Sequence, residues 1–216
     1  MIDAHTSYQK RRLAPDRLRI AKKHCGKMII DVGCGNGEYV KYFHQNGYQS
    51  FGVDYKAFPS WNENVNLFER KDIHNLSDFD DASFDSIICF EVLEHVDDVE
   101  EILRQFFRIC RKNVIISVPN CNDEELLNAK GFSYSHWKDP THINFFKSEE
   151  LSRLIINAGF SSVSVEGINK VNAGYFLSQW LVPSFLKDNE FIHRAFNKFV
   201  GNRFYISNCY IAYKDT

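Results

Sequence analysis

Met28, Ile29, Ile30 and Val32 form a short apolar run that leads straight into three glycines, Gly33, Gly35 and Gly37. Interrupted only by Asp31 near its end, this run has the pattern of a central parallel strand covered on both faces. Comparable runs recur at Ser50–Asp54, Val65–Glu69, Ser83–Phe90, Lys112–Val118, Ser161–Ile168 and Ile206–Tyr213 and are read as further strands. Between them lie segments of helical character: Asp16–Lys23 after Pro15, Glu38–Gln45, Val99–Cys110 and Leu151–Ala158. The third places Ile102, Leu103, Phe106, Phe107 and Ile109 at the offsets of a single helix face. Asn46-Gly47 and Gly159 stop two of these helices, and Ser148 is placed to cap the last. Strands alternating with helices predict an α/β architecture around a mostly parallel sheet.

Three segments stand outside this alternation. Residues 1–25 read as a polar, basic, helical arm lying over the site, with Tyr8 offered to the pocket. The stretch Cys121–Asn144, carrying Phe132, Tyr134 and Trp137, is too long for a plain connector. Residues 169–204 form an aromatic-rich helical insert with two segments, Tyr175–Leu181 and Phe191–Val200, broken by Pro183. Its bulky residues around Pro183, from Phe176 to Phe185, are read as a substrate lid or a homodimer contact ahead of a membrane-facing surface, because such stripes are more often buried. The whole chain, 1–216, is expected to form one domain, since 216 residues suffice for one α/β core and are tight for two.

Composition narrows the classes. A formal charge of -2 speaks against a broad nucleic-acid surface. The one basic concentration, Lys10, Arg11, Arg12, Arg17, Arg19, Lys22 and Lys23, reads as a solvated helix face. Six cysteines without a C-x-x-C pair suit reduced thiols in a cytoplasmic protein. No signal peptide and no apolar run of membrane-spanning length is expected.

The glycine-rich turn is the default ligand site, because open parallel sheets bind ligands beyond the carboxyl ends of their strands. Its G-x-G-x-G spacing is neither the G-x-G-x-x-G dinucleotide fingerprint nor a Walker loop. Asp54 ends the second strand about twenty residues on, where a carboxylate accepts hydrogen bonds from ribose hydroxyls; Tyr55 borders the same place. Asp72 and Ile73 offer an acceptor and an apolar flank to a planar base, or Asp72 simply caps a turn.

Taken together, Val32-Gly33-Cys34-Gly35-Asn36-Gly37, Asp54, Asp72-Ile73 and Phe90-Glu91-Val92-Leu93-Glu94-His95 resemble the class I S-adenosylmethionine-dependent methyltransferases, over about Ile20 to Phe160 and on through the last strands. The resemblance implies a Rossmann-like, doubly wound, seven-stranded sheet in the order 3-2-1-4-5-7-6 with the last strand antiparallel. It implies S-adenosylmethionine as cofactor. Gly33 and Gly35, with Cys34 between them, would approach its methionine and ribose parts, and Asp31 would orient the loop or meet the amino group indirectly. Asp54 would hold the ribose diol, Asp72 and Ile73 the adenine, and Phe90 would lie near the methionine part.

Glu91 is the position facing both cofactor and substrate. A hydroxyl acceptor needs a base, for which His142 and His95 are the candidates, His142 first. Glu91, Glu94, His95 and His142 would alternatively form a metal site. Small-RNA terminal-ribose 2′-O-methyltransferases and some quinone O-methyltransferases show related Glu-x-x-Glu-His patterns, but Val96 stands where the RNA group has a further histidine, and no metal is expected. The expected function is O-methylation of a small polar or sugar-containing metabolite. N-methylation, metal-dependent RNA ribose methylation and a non-catalytic cofactor-binding module are the alternatives.

Overall fold

A computed structural model of the chain describes residues 13–122, 139–170, 183, 189–200 and 205–215. Its elements run, in order, α1 (Pro15–His24), β1 (Met28–Val32), α2 (Glu38–Gln45), β2 (Gln49–Asp54), a 3₁₀ segment (Pro59–Leu67), β3 (Phe68–Arg70) and β4 (Phe84–Phe90). A short 3₁₀ turn (Leu93–His95), α3 (Val99–Ile109), β5 (Cys110–Pro119), α4 (Ser148–Asn157), β6 (Ser162–Lys170), α5 (Glu190–Val200) and β7 (Tyr205–Tyr213) complete it. The strands form one seven-stranded sheet in the order β3-β2-β1-β4-β5-β7-β6. β1 to β5 pair in parallel, and β7 runs antiparallel to both β5 and β6. The expected sheet order and direction are therefore found.

Every residue of β4 is buried, and successive side chains go to opposite faces of the sheet. Ile87 and Cys89 join the core that also takes Ile30, Val32, Val114 and Ile116. Ile88 and Phe90 join the opposite one with Ile29, Ile115 and Ile211. Helices α3 and α4 cover the first face through residues such as Ile102, Phe106, Leu151 and Ile155. Ile20 and Ala21 of α1 and Phe43 of α2 cover the second. Five buried apolar side chains hold α3, each contributing about 1.5–3 kcal/mol. That outweighs the about 1 kcal/mol of a missing cap, for Asp98 at its N-terminus makes no side-chain capping bond.

Three local expectations change. The third strand is only Phe68–Arg70, and Val65 belongs to the 3₁₀ segment, 62% exposed. Ser148 does not cap α4; it is the first helical residue, and its N–H is satisfied from afar by Asn122 Oδ1 at 2.7 Å. The basic residues of α1 are not all solvated, because Arg17 is turned inward (below). Tyr8, Phe132, Tyr134, Trp137 and the Tyr175–Leu181 segment lie outside the described residues. Of the two aromatic-rich segments of the insert, the second corresponds to α5. Among the described residues no helix is long and apolar enough to cross a membrane.

Candidate functional site

The site forms where the tips of β1, β2 and β4 meet. Beyond β1 the chain turns through Gly33, Gly35 and Gly37, all left-handed with φ of 78°, 51° and 76°. A side chain at Gly33 would collide with Val92, its Cβ lying 2.3 Å from Val92 Cγ2, so this glycine lets the β4 tip close over the β1 tip. At Gly35 a Cβ would meet nothing within 4 Å. Gly35 is thus the bare, open part of the loop where a ligand can approach backbone.

Asp54 ends β2 beneath this opening. Its Oδ2 accepts the Gly35 N–H at 2.9 Å and its Oδ1 accepts the Lys56 N–H at 3.1 Å. Burial pushes its carboxyl up, while these backbone donors favour the ionised form. Each carboxylate oxygen carries more than one acceptor site, so hydroxyls of a ligand can still be taken. Tyr55 beside it is 70% exposed. Cys34 is buried against Gly52 and Val40, and burial pushes its thiol far up, which leaves it a packing residue without nucleophilic character.

Asp31 lies within β1, 3% exposed. Burial first, then the charge of Asp54, pushes its pKa up to about 8. The folded chain therefore binds this proton more tightly than the unfolded chain. Between the ordinary carboxylate range and about pH 8, folding takes up a proton, and stability falls as pH rises through that window. The slope approaches at most about 1.4 kcal/mol per pH unit. Thermal unfolding between pH 6 and 9 should show the midpoint dropping in the wild type and a visibly flatter profile in Asp31→Asn. Parallel profiles would show that the Asp31 carboxyl is already ionised in the folded chain at pH 6, as it is in the unfolded chain.

In the loop after β3, Ile73 is buried in the main core and Asp72 is largely exposed. Asp72 Oδ1 accepts the backbone N–H of His74 at 3.0 Å and meets its ring Nδ1 at 2.8 Å. Hydrogen bonds from His74 hold the Asp72 carboxyl below its usual range. Asp72 thus caps its turn, but its side chain does so through His74 rather than through Asn75 and Leu76.

At the β4 tip, Phe90 is buried and packs edge-on to Tyr39, with ring centroids 5.0 Å apart. Glu91 follows in the left-handed region at φ 55°, a strained conformation for a residue with a side chain. Its N–H bonds Ser117 O at 2.8 Å, and its carboxylate accepts the Ser117 hydroxyl at 3.0 Å and pairs with Arg17 at 2.7 Å. Arg17, only 14% exposed, neutralises Glu91 and ties α1 to the rim of the site.

The long connection after β5 returns to this tip. Ile143 N–H and Asn144 N–H both bond Glu94 O, and the Asn144 side chain bonds Leu93 O and Val96 O. This clamp sets His142 beside His95, with ring centroids 4.5 Å apart. His95 Nδ1 meets Thr141 O at 3.1 Å and its hydroxyl at 3.0 Å, and His142 Nε2 lies 3.8 Å from Asp139 Oδ2. The Thr141 hydroxyl and N–H hold the Asp139 carboxyl below its ordinary range, so it stays negative beside His142. Glu94, His95 and His142 each bring one ligand atom within 4.8 Å of the others, enough for a metal ion. Glu91 is not in that trio. One carboxylate with two imidazoles suits a first-row transition ion better than magnesium or calcium, whose preference is for oxygen.

The structure brings together the two histidines named from sequence and sets Asp54 against the glycine loop. The sequence reading does not place Arg17 against Glu91, nor Trp61, whose indole donates to Gly35 O at 2.8 Å.

A family model described as a methyltransferase domain matches residues 5–165. A ubiquinone biosynthesis O-methyltransferase from Azoarcus sp. (strain BH72) is 31% identical over 187 residues, covering 76% of this chain and 79% of that protein. Among solved structures, a SAM-dependent methyltransferase from Archaeoglobus fulgidus shares the fold with a TM-score of 0.64 at 21% identity, covering 92% of this chain and 93% of that one. The Haemonchus contortus phosphoethanolamine N-methyltransferase 2, solved with S-adenosyl-L-methionine, gives a TM-score of 0.63 at 15% identity over 96% of this chain and 55% of its own.

Proposed function

The chain belongs to the methyltransferase-domain family and is an S-adenosylmethionine-dependent methyltransferase; on that premise we propose that it methylates a hydroxyl of a small polar or sugar-containing metabolite, with His142 as general base. The observation that carries this reading is the His142–His95 pair held over the β4 tip next to an ionised Asp139. The O-methyltransferase named among its relatives supports oxygen as the accepting atom.

The residues at the strand tips fit the cofactor. Gly35 offers an open backbone face, and Asp54 keeps acceptor capacity for a ribose diol. Arg17 and Glu91 close the side toward Phe90, where the methionine part is assigned. Bound there, the cofactor supplies a methyl group on a sulfonium, already a good leaving group. The protein's part is alignment, which works through proximity, and removal of the acceptor proton. His142 takes that proton, and Asp139 stabilises the imidazolium that results.

A second reading has its own observation, the Glu94–His95–His142 trio. An ion held there would activate the hydroxyl by lowering its pKa.

The test is transfer of labelled methyl from S-adenosylmethionine to a library of sugars, phenols and amines, with and without a chelator. Labelled hydroxyl products in the presence of chelator are expected. Products on amines alone would replace oxygen by nitrogen. Donor binding without transfer to any acceptor would leave a binding module.

A further inference from the structure

We propose that Trp61 is a positioning residue for the donor: its indole N–H fixes the central peptide of the glycine loop in the orientation that binding requires. The proposal rests on the donor site assigned above and adds a determinant from a separate stretch of chain, the 3₁₀ segment between β2 and β3.

Three left-handed glycines in five residues give the loop freedom that a binding surface has to lose. One side is restrained by β2, since Gly33 N–H and Cys34 N–H bond Val53 O and Gly35 N–H bonds Asp54. The loop carbonyls are restrained by the 3₁₀ segment. Trp61 Nε1 donates to Gly35 O at 2.8 Å and Ser60 Oγ donates to Asn36 O at 2.9 Å. In a planar trans peptide the carbonyl and the next N–H point in opposite directions. Tying Gly35 O to the indole therefore aims the Asn36 N–H away from it and stops the peptide from rotating a carbonyl into its place.

The indole is itself held rigidly. It is 6% exposed and stacks on Phe68, with centroids 5.0 Å apart and planes 9° from parallel. Trp61, Phe68, Cys34 and Val40 form a small core apart from the two large ones. That core grips the loop at Cys34 and the first turn of α2 at Val40. Phe68 also occupies the space beside Gly37, where a Cβ would lie 2.3 Å from its ring. A phenylalanine would serve this stack nearly as well. What tryptophan adds is a donor at the loop carbonyl.

Trp61→Phe keeps the stack and removes that donor. Calorimetry and steady-state kinetics on the full chain should show Kd and KM for S-adenosylmethionine rising about tenfold, the scale of one buried hydrogen bond. The turnover number and the acceptor KM should stay within about twofold, a split that loss of fold would not produce. Ser60→Ala, which removes the second tether and little packing, should weaken the donor about threefold and provides the answer if Trp61→Phe folds poorly. Wild-type donor affinity in both variants would overturn the proposal. Asp54→Asn is measured alongside. If it alone loses the donor, the latch is wrong and the donor site stands; if it too binds normally, the donor site itself is wrong.

Discussion

Asp54→Ala is expected to weaken S-adenosylmethionine and S-adenosylhomocysteine binding by at least about a hundredfold. Each hydrogen bond to a charged group is worth about 1.5–3 kcal/mol, and a ribose diol makes two, so about 3 kcal/mol or more is lost, against 1.4 kcal/mol per factor of ten. The carboxylate also organises the site before any ligand arrives, since it receives the Gly35 and Lys56 N–H groups. Removing it leaves both donors without that partner and loosens the loop. Asp54→Asn keeps the volume but turns an amide toward N–H donors on at least one side, so it should lose nearly as much. Calorimetric titration with S-adenosylhomocysteine checks this, using circular dichroism to show that the variant is folded. A dissociation constant within about threefold of wild type would mean that the ligand does not use the β2 tip.

The expected effect is large because Asp54 holds the glycine loop in the fold and, on the proposed reading, the ligand as well, and that double role also explains what could be read from the chain. Ile29 to Val32, Ile87 to Phe90 and Val114 to Val118 alternate between two cores, so hydrophobic patterning alone placed the central strands. The glycine spacing and the acid after β2 then located the loop. β3 was harder. At three residues it is too short to show a period, and Pro59–Leu67 winds into a 3₁₀ segment where the chain looked like a loop followed by a strand.

Arg17 was legible in principle. It falls at helical offsets with Ile20 and Ala21, both fully buried, and a guanidinium on an apolar stripe needs a buried partner. Trp61 and Asn122 act through partners 26 residues away in sequence, Gly35 and Ser148. No local pattern signals such a bond. His95 and His142 were named from motif and loop length, but their closeness depends on the Asn144 clamp on the Leu93–Val96 turn.

That clamp decides what His142→Ala should do. If His142 is the base, its loss removes proton transfer from the transition state, and turnover should fall by about 10²–10⁴ with cofactor affinity retained. His95 would then be a scaffold. Its ring is held by Thr141 and packs edge-on against His142, so His95→Ala should cost about tenfold or less through misplacement of its neighbour. Asp139→Asn should fall between the two, because the imidazolium loses a negative neighbour 3.8 Å away. A bound ion predicts a different order. His95 and His142 would both be ligands with Glu94, the two alanine variants would be about equally inactive, and a chelator would reproduce the loss in the wild type until metal is restored. The ranking of the two histidines, together with the chelator arm, therefore separates base from ligand. Full turnover in His142→Ala would remove both readings, leaving in-line alignment as the protein's whole contribution to the chemical step.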